Sequence, residues 1–214
     1  SYAFYIDDAA PQNLEAFEAF EFRLLHNLPQ LDPALDAFAA VLKRMWDFYD
    51  ALSARAIFTA CLEFVDMTCI EPSMSQVEMH RTSQRLPWYI RQRSSGSTPF
   101  AVFTFPRRLG IPFMAYFPVL PDMDYFLSGI NDLFSFYKEE LKGEEGNFVH
   151  MRARAEGKPP MQVAAELSEE LLVARSTIHA ALRPHPEAFK AWIDREKGYI
   201  AWHMFLPRYK LQEI

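Results

Sequence analysis

Cysteine is scarce in this chain of 214 residues: only Cys61 and Cys69 occur. Both fall in one apolar stretch that reads as a helix, eight residues apart. At the helical rise that is roughly 12 Å, too far for a disulfide. Two free thiols fit a reducing, cytoplasmic compartment. Long apolar runs are missing as well. The longest, "IPFMAYFPVL", is short and holds two prolines, so no membrane span is expected. No signal peptide is visible. Positive charge is in deficit, with a formal net charge of −6 and a pI of about 5.5. That argues against a nucleic-acid or anionic-membrane partner, either of which wants a basic face. No alternating run is long enough to make a strand. Nothing resembles a phosphate-cradling glycine loop, and no Ser-His-Asp or Cys-His arrangement stands out. The histidines (26, 80, 150, 179, 185 and 203) show no metal-ligand spacing, and His203 reads as a structural hydrogen-bonding residue.

What is present is apolar and helical. Half of the residues are hydrophobic, 15% are aromatic, and Phe alone occurs 19 times. Such a chain buries one sizeable core, and residues 1–214 read as a single all-α domain. "SYAFYIDD" opens without Met or a capping signal and looks like the last turns of a helix, stopped before Pro11. The chain therefore reads as part of a longer protein. Further helices are expected in "NLEAFEAFEFRLLHNL" with Asn13 as cap, and in "DPALDAFAAVLKRMWDFYDAL" with Asp32 as cap and Pro33 in the first turn. "SARAIFTACLEFVDMTCIE" is apolar on most sides and belongs at the centre. A more polar helix is expected over residues 75–92, and another in "DMDYFLSGINDLFSFYKEELK", closed by Gly143. "GEEGNFVHMRARAEGKPP" reads as a loop. The last two helices run to Leu182 and from about Pro186 to Leu206.

Within "NDLFSFYKEE", Asn131, Ser135 and Glu139 are four residues apart each time, so they share one side of a helix. Amide, hydroxyl and carboxylate are hard oxygen ligands of the kind Mg²⁺ takes when phosphate oxygens and water complete its shell. Lys138 stands beside the row and could reach the same phosphate. The same spacing also suits a plain polar stripe on an exposed helix face. Asp7 and Asp8 form a second cluster, in which one carboxylate can bind metal while the other pairs with a cation. A solvated helix end explains them equally well. Arg91 before a loop, and Arg208-Tyr209 after the last helix, are suitable phosphate binders, although each arginine alone reads as a surface ion-pair partner.

Taken together, these segments resemble the class I terpene cyclases, specifically the trichodiene synthase-like fungal sesquiterpene synthases. "NDLFSFYKEE" is similar to that family's second metal motif, "WYIRQR" to its diphosphate-sensing arginine segment, and "GYIAWHMFLPRYKLQEI" to its closing segment. "FYIDD" falls where its aspartate-rich motif belongs, although "DDAAPQ" lacks the further acid usual there. Several helices that precede this point in the family have no counterpart. The resemblance implies a class I terpenoid synthase α-helical bundle with a central apolar cavity. It implies Mg²⁺, three ions with diphosphate bound, on Asp7, Asn131, Ser135 and Glu139, and a homodimer.

The expected reaction is ionisation of a prenyl diphosphate, most suitably farnesyl diphosphate, followed by cyclisation of the allylic cation. Metal ions with Arg91, Lys138 and Arg208 would neutralise the leaving group. Tyr209 would donate to a phosphate oxygen, and Asp8 would pair with Arg208 on closure. A dry aromatic pocket would hold the cation. Phe4 and Leu127, one helical turn before Asp7 and Asn131, are expected to face it, with Tyr199 lining it and Phe58 and Phe64 as further candidates. Two other readings are a non-catalytic isoprenoid diphosphate-binding relative and a chain-elongating prenyltransferase. The latter would need a second aspartate-rich motif where Asn131, Ser135 and Glu139 stand.

Overall fold

The computed structural model describes residues 5–6, 9–77 and 80–213. Among them there is no strand. The helices are α1 (Leu14–Glu18), α2 (Phe20–Leu25), α3 (Pro33–Lys43), α4 (Met45–Phe48), α5 (Ala51–Ile70), α6 (Leu86–Ser94), α7 (Ser97–Val102), α8 (Leu120–Lys142), α9 (Phe148–Glu156), α10 (Pro160–Leu182) and α11 (Pro186–Phe205). Short 3₁₀ turns fill the connections, including Glu71–Gln76 and Pro207–Tyr209.

Local chemistry sets most of the boundaries. Asp32 accepts from the backbone N–H of Ala34 at 2.7 Å and of Leu35 at 3.2 Å, and Pro33 occupies the first turn. Asp50 does the same for α5 through Leu52 and Ser53. Gly143 ends α8 at φ 68°, a left-handed conformation that glycine adopts without steric cost. Four expectations need correction. The "DPALDAFAAVLKRMWDFYDAL" stretch is not one helix: it is divided at Arg44, α4 ends at Phe48, and Ala51 and Leu52 open α5 behind the Asp50 cap. Asn13 makes no side-chain cap, and the helix after it is divided at Ala19, across which Arg23 N–H still bonds to the Ala19 carbonyl. The polar helix expected over 75–92 is confined to Leu86–Ser94; Val77 and residues 80–85 ahead of it are exposed, and burial begins within the helix at Pro87 and Ile90. The "GNFVHMRARAEG" stretch is a helix, not a loop. Asn147 caps it at the His150 N–H, and Phe148, Val149, Met151, Ala153 and Ala155 are buried beneath its charged side.

α8 is the central element. It packs along α10 on one side and against α7 on another, with α11 across it. Gly129 permits the close approach of α10, since a Cβ there would stand 2.6 Å from Leu171 Cδ2. The main core surrounds this helix with Met123, Phe126, Leu127, Leu167, Ile178 and Trp192. Full burial of each such aliphatic side chain contributes about 1.5–3 kcal/mol. A second apolar cluster joins Ile6, Phe17, Phe20, Leu35, Phe38 and Leu42 to α5. Between the two halves α5, α6, α7, α8 and α11 leave a cavity.

Candidate active site

The cavity encloses about 870 Å³. Its aromatic lining comes from Phe64 on α5, Phe100 and the adjoining Phe103, and Tyr199 and Trp202 on α11. Its polar lining comes from α8, where Asn131, Ser135, Lys138 and Glu139 all face in, and from Arg91, Arg208 and Tyr209. The helical spacing therefore does carry the three oxygen donors to one wall. They do not form an exposed stripe: Ser135 is 3% exposed and Asn131 is half-buried. Ser135 Oγ donates a long bond to the Asp132 carbonyl at 3.4 Å, which leaves its lone pairs available. Glu139 pairs with Lys138 at 3.0 Å.

Arg91 reaches this wall from α6. It grips Asp132 side-on, Nε to Oδ2 at 2.9 Å and Nη2 to Oδ1 at 2.8 Å. Nη2 also donates to the Asn131 side-chain oxygen at 3.1 Å and to the Ser128 carbonyl at 3.3 Å. Burial alone would push the guanidinium down, but the charge and hydrogen bonds of Asp132 hold it above its ordinary value. Asp132 lies outside the Asn131 row, and its role is legible only in three dimensions, because its partner is a half-buried arginine on another helix. Behind the wall, Asp124 accepts from Ser97, whose hydroxyl also meets that of Ser128 at 2.8 Å. Burial raises the Asp124 carboxyl above its usual range. Arg195, another lining residue that sequence reading missed, donates to Thr104 at 3.2 Å.

The C-terminal segment closes the same end. After α11, Pro207–Tyr209 turns so that Tyr209 is buried while Arg208 stays exposed at the cavity. Asn131 Nδ2 donates to the Tyr209 hydroxyl at 3.3 Å and lies 3.2 Å from His203 Nε2. Burial raises the Tyr209 phenol to about 12, so it remains a hydrogen-bond donor at neutral pH. Tyr199 lines the cavity and donates to the Leu127 carbonyl at 3.1 Å.

Two expected lining residues are placed elsewhere. Leu127 is fully buried in the main core, because four residues on a helix drift by about 40° and carry it past the cavity edge. Phe58 packs edge-on against Trp46, ring centroids 5.6 Å apart, beside the second cluster. Phe64, on the same helix, lines the cavity. Phe4, Asp7 and Asp8 lie outside the described residues. Among the described residues no group of three or more His, Cys, Asp or Glu side chains is assembled for a metal. A cation at this wall would be held by the amide, hydroxyl and single carboxylate of Asn131, Ser135 and Glu139. As hard oxygen donors these suit Mg²⁺ completed by phosphate and water.

Comparison with known proteins identifies the family of the chain. Residues 1–214 match the family described as trichodiene synthase (TRI5). The chain is 30% identical over 98% of its length to an alpha-cuprenene synthase of Coprinopsis cinerea, covering 64% of that protein. It is 33% identical over 98% of its length to terpene synthase BipA of Cochliobolus sativus, covering 65% of it. A longiborneol synthase of Gibberella zeae is 30% identical over 97% of the chain and 63% of its own length. The chain thus spans a little under two thirds of these relatives. Among solved structures, a linalool/nerolidol synthase from Streptomyces clavuligerus shares the fold, with a TM-score of 0.62, 17% identity, and coverage of 97% of this chain and 77% of that one. The fold is the all-α bundle of class I terpenoid synthases. The chain belongs to the trichodiene synthase family.

Proposed function

We propose that the protein is a Mg²⁺-dependent sesquiterpene synthase that ionises farnesyl diphosphate, releases diphosphate and cyclises the allylic cation. One observation carries this reading: hard oxygen donors and cationic groups line the same cavity as a set of aromatic side chains. Relatives named for cuprenene and longiborneol products favour the sesquiterpene class. The family resemblance implies a homodimer, and the half-buried free thiols of Cys61 and Cys69 suit a reducing, cytoplasmic compartment.

Asn131, Ser135 and Glu139 would hold Mg²⁺, with Asp7 as a further ligand implied by the family resemblance. When bound with diphosphate, the metal ions supply positive charge to the departing group. The chain's own residues do the rest. Arg91 presents fixed N–H donors, and because Asp132 already holds it in place little reorganisation is needed. Lys138, paired with Glu139 at 3.0 Å, would offer its ammonium to a phosphate oxygen where Glu139 is a ligand. Tyr209 donates to the diphosphate, and Arg208 pairs with Asp8 as the end closes. Phe64, Phe100, Phe103 and Trp202 offer ring faces to the carbocation and exclude water, which would quench it.

The test is to incubate the full-length protein with Mg²⁺ and farnesyl or geranyl diphosphate, measure free diphosphate and identify products by gas chromatography. Release with cyclic products from the farnesyl substrate is expected. Binding without release would instead identify a silent isoprenoid-binding relative, and turnover of geranyl diphosphate alone would change the substrate class. Arg208 gives a second readout. Arg208→Lys keeps the charge but loses the planar fork. The parent's charge-assisted contact contributes roughly 1.5–3 kcal/mol, so diphosphate release should slow by about tenfold or more. Products should scatter toward alcohols and early-deprotonated olefins. An unchanged rate and product would remove Arg208 from the closing role.

A further inference from the structure

Asn131 can serve a cation only through its oxygen. Oxygen and nitrogen of a side-chain amide have nearly the same shape, so something must fix which end faces the site. The proposal here rests on the reading of Asn131 as a metal ligand. We propose that His203 is the positioning residue that fixes the orientation of the Asn131 amide, so that its oxygen rather than its nitrogen is turned to the cation site.

The ring itself is fully buried and clamped. Tyr199, Tyr209, Trp202 and Phe134 stand around it with centroid distances of 4.4, 4.6, 4.8 and 5.7 Å. His203 Nδ1 lies 2.8 Å from the Tyr199 carbonyl oxygen. A carbonyl only accepts, so Nδ1 carries the proton. In the neutral ring Nε2 is then an acceptor. Its neighbour is Asn131, at 3.2 Å, and only an N–H can satisfy an acceptor there. The amide nitrogen is thereby assigned to the His203 side. Its second N–H goes to the Tyr209 hydroxyl. The opposite end faces Arg91 Nη2, a group that only donates, and so must be the oxygen.

Each side chain thus enforces the next, from the Tyr199 carbonyl through His203 to Asn131. A flipped amide would set N–H against N–H at Arg91 and leave the buried Nε2 facing an oxygen. Such supporting partners typically govern metal affinity by 10- to 100-fold.

Asn131→Asp provides the discriminating background, because a carboxylate has oxygen at both ends and no wrong orientation. The experiment measures Mn²⁺ binding by electron paramagnetic resonance, with inorganic diphosphate present, in the full-length protein. In the parent background, His203→Leu should weaken Mn²⁺ binding by about tenfold or more. His203→Gln, whose side-chain oxygen can accept from Asn131, should recover much of that loss. In the Asn131→Asp background, His203→Leu should change affinity by less than about threefold, a small fraction of the loss expected in the parent. An equal loss in both backgrounds would overturn the proposal and leave His203 as a packing residue. If His203→Leu does not fold, His203→Phe, which keeps a ring in the aromatic clamp and has no acceptor for Asn131, replaces it in both backgrounds and decides the same question. Absence of Mn²⁺ binding in the folded parent would overturn both the metal reading of Asn131 and the role given to His203. Parent binding with background-independent loss would overturn only the latter.

Discussion

An Asn131→Ala, Ser135→Ala double variant should lose diphosphate release from farnesyl diphosphate by about 10³-fold or more while remaining folded. Two of the three described oxygen donors at the α8 wall disappear together. Losing one preorganised group at a developing negative charge commonly costs 10²–10³ in rate, and a metal ion acts on the same charge. The folded state does not escape entirely. Asn131 bonds Arg91 and Tyr209 and faces His203, so about 1–3 kcal/mol of stability should go with it. Ser135 contributes little, since its one hydrogen bond is long. Denaturant unfolding and diphosphate release, measured on the same sample, separate the two effects. A double variant that turns over at the parent rate would show that the row binds no cation in the working enzyme.

The contrast between Asn131 and its neighbour Asp132 shows how far the sequence could be read. Residues 131, 135 and 139 are related by helical geometry alone, so their common direction follows from local spacing. Asp132 is turned by about 100° from that row, and its direction leads to Arg91, a residue on another helix. No local pattern connects the two. The same limit separates Phe58 from Phe64. α5 is apolar nearly all round, so its sequence does not say which face meets the cavity and which meets Trp46. α9 was hidden for a different reason. Its charged residues dominate the composition, while the buried set, Phe148, Val149, Met151, Ala153 and Ala155, is visible only when phased on a helix capped by Asn147. His203 was legible as a hydrogen-bonding residue, but its partners come from its own helix and from α8, and only the fold sets the second against it.

Asp132→Ala should be the most destabilising single change at the site, at about 3–5 kcal/mol, because it leaves the Arg91 cation buried without its partner. The side chains of Arg91 and Asp132 are 14% and 7% exposed, so solvent cannot replace the lost carboxylate without rearrangement. Asn131 and the Ser128 carbonyl offer Arg91 only neutral oxygens. The pair is nevertheless a poor source of net stability. Desolvating two ions opposes their attraction, and apolar replacements of similar size are often neutral or better. Arg91→Met with Asp132→Leu should therefore unfold within about 1 kcal/mol of the parent, or at higher denaturant. That double variant removes the diphosphate donor together with the Arg91 bond to Asn131, so its affinity for inorganic diphosphate with Mg²⁺ should fall although its stability does not. Urea unfolding of parent, single and double variants is the measurement, with diphosphate titration on the two folded proteins. A loss below about 1 kcal/mol for Asp132→Ala would mean that Arg91 reaches water once released, as a surface pair would. Undiminished diphosphate affinity in the double variant would mean that the ion pair is there for the fold alone.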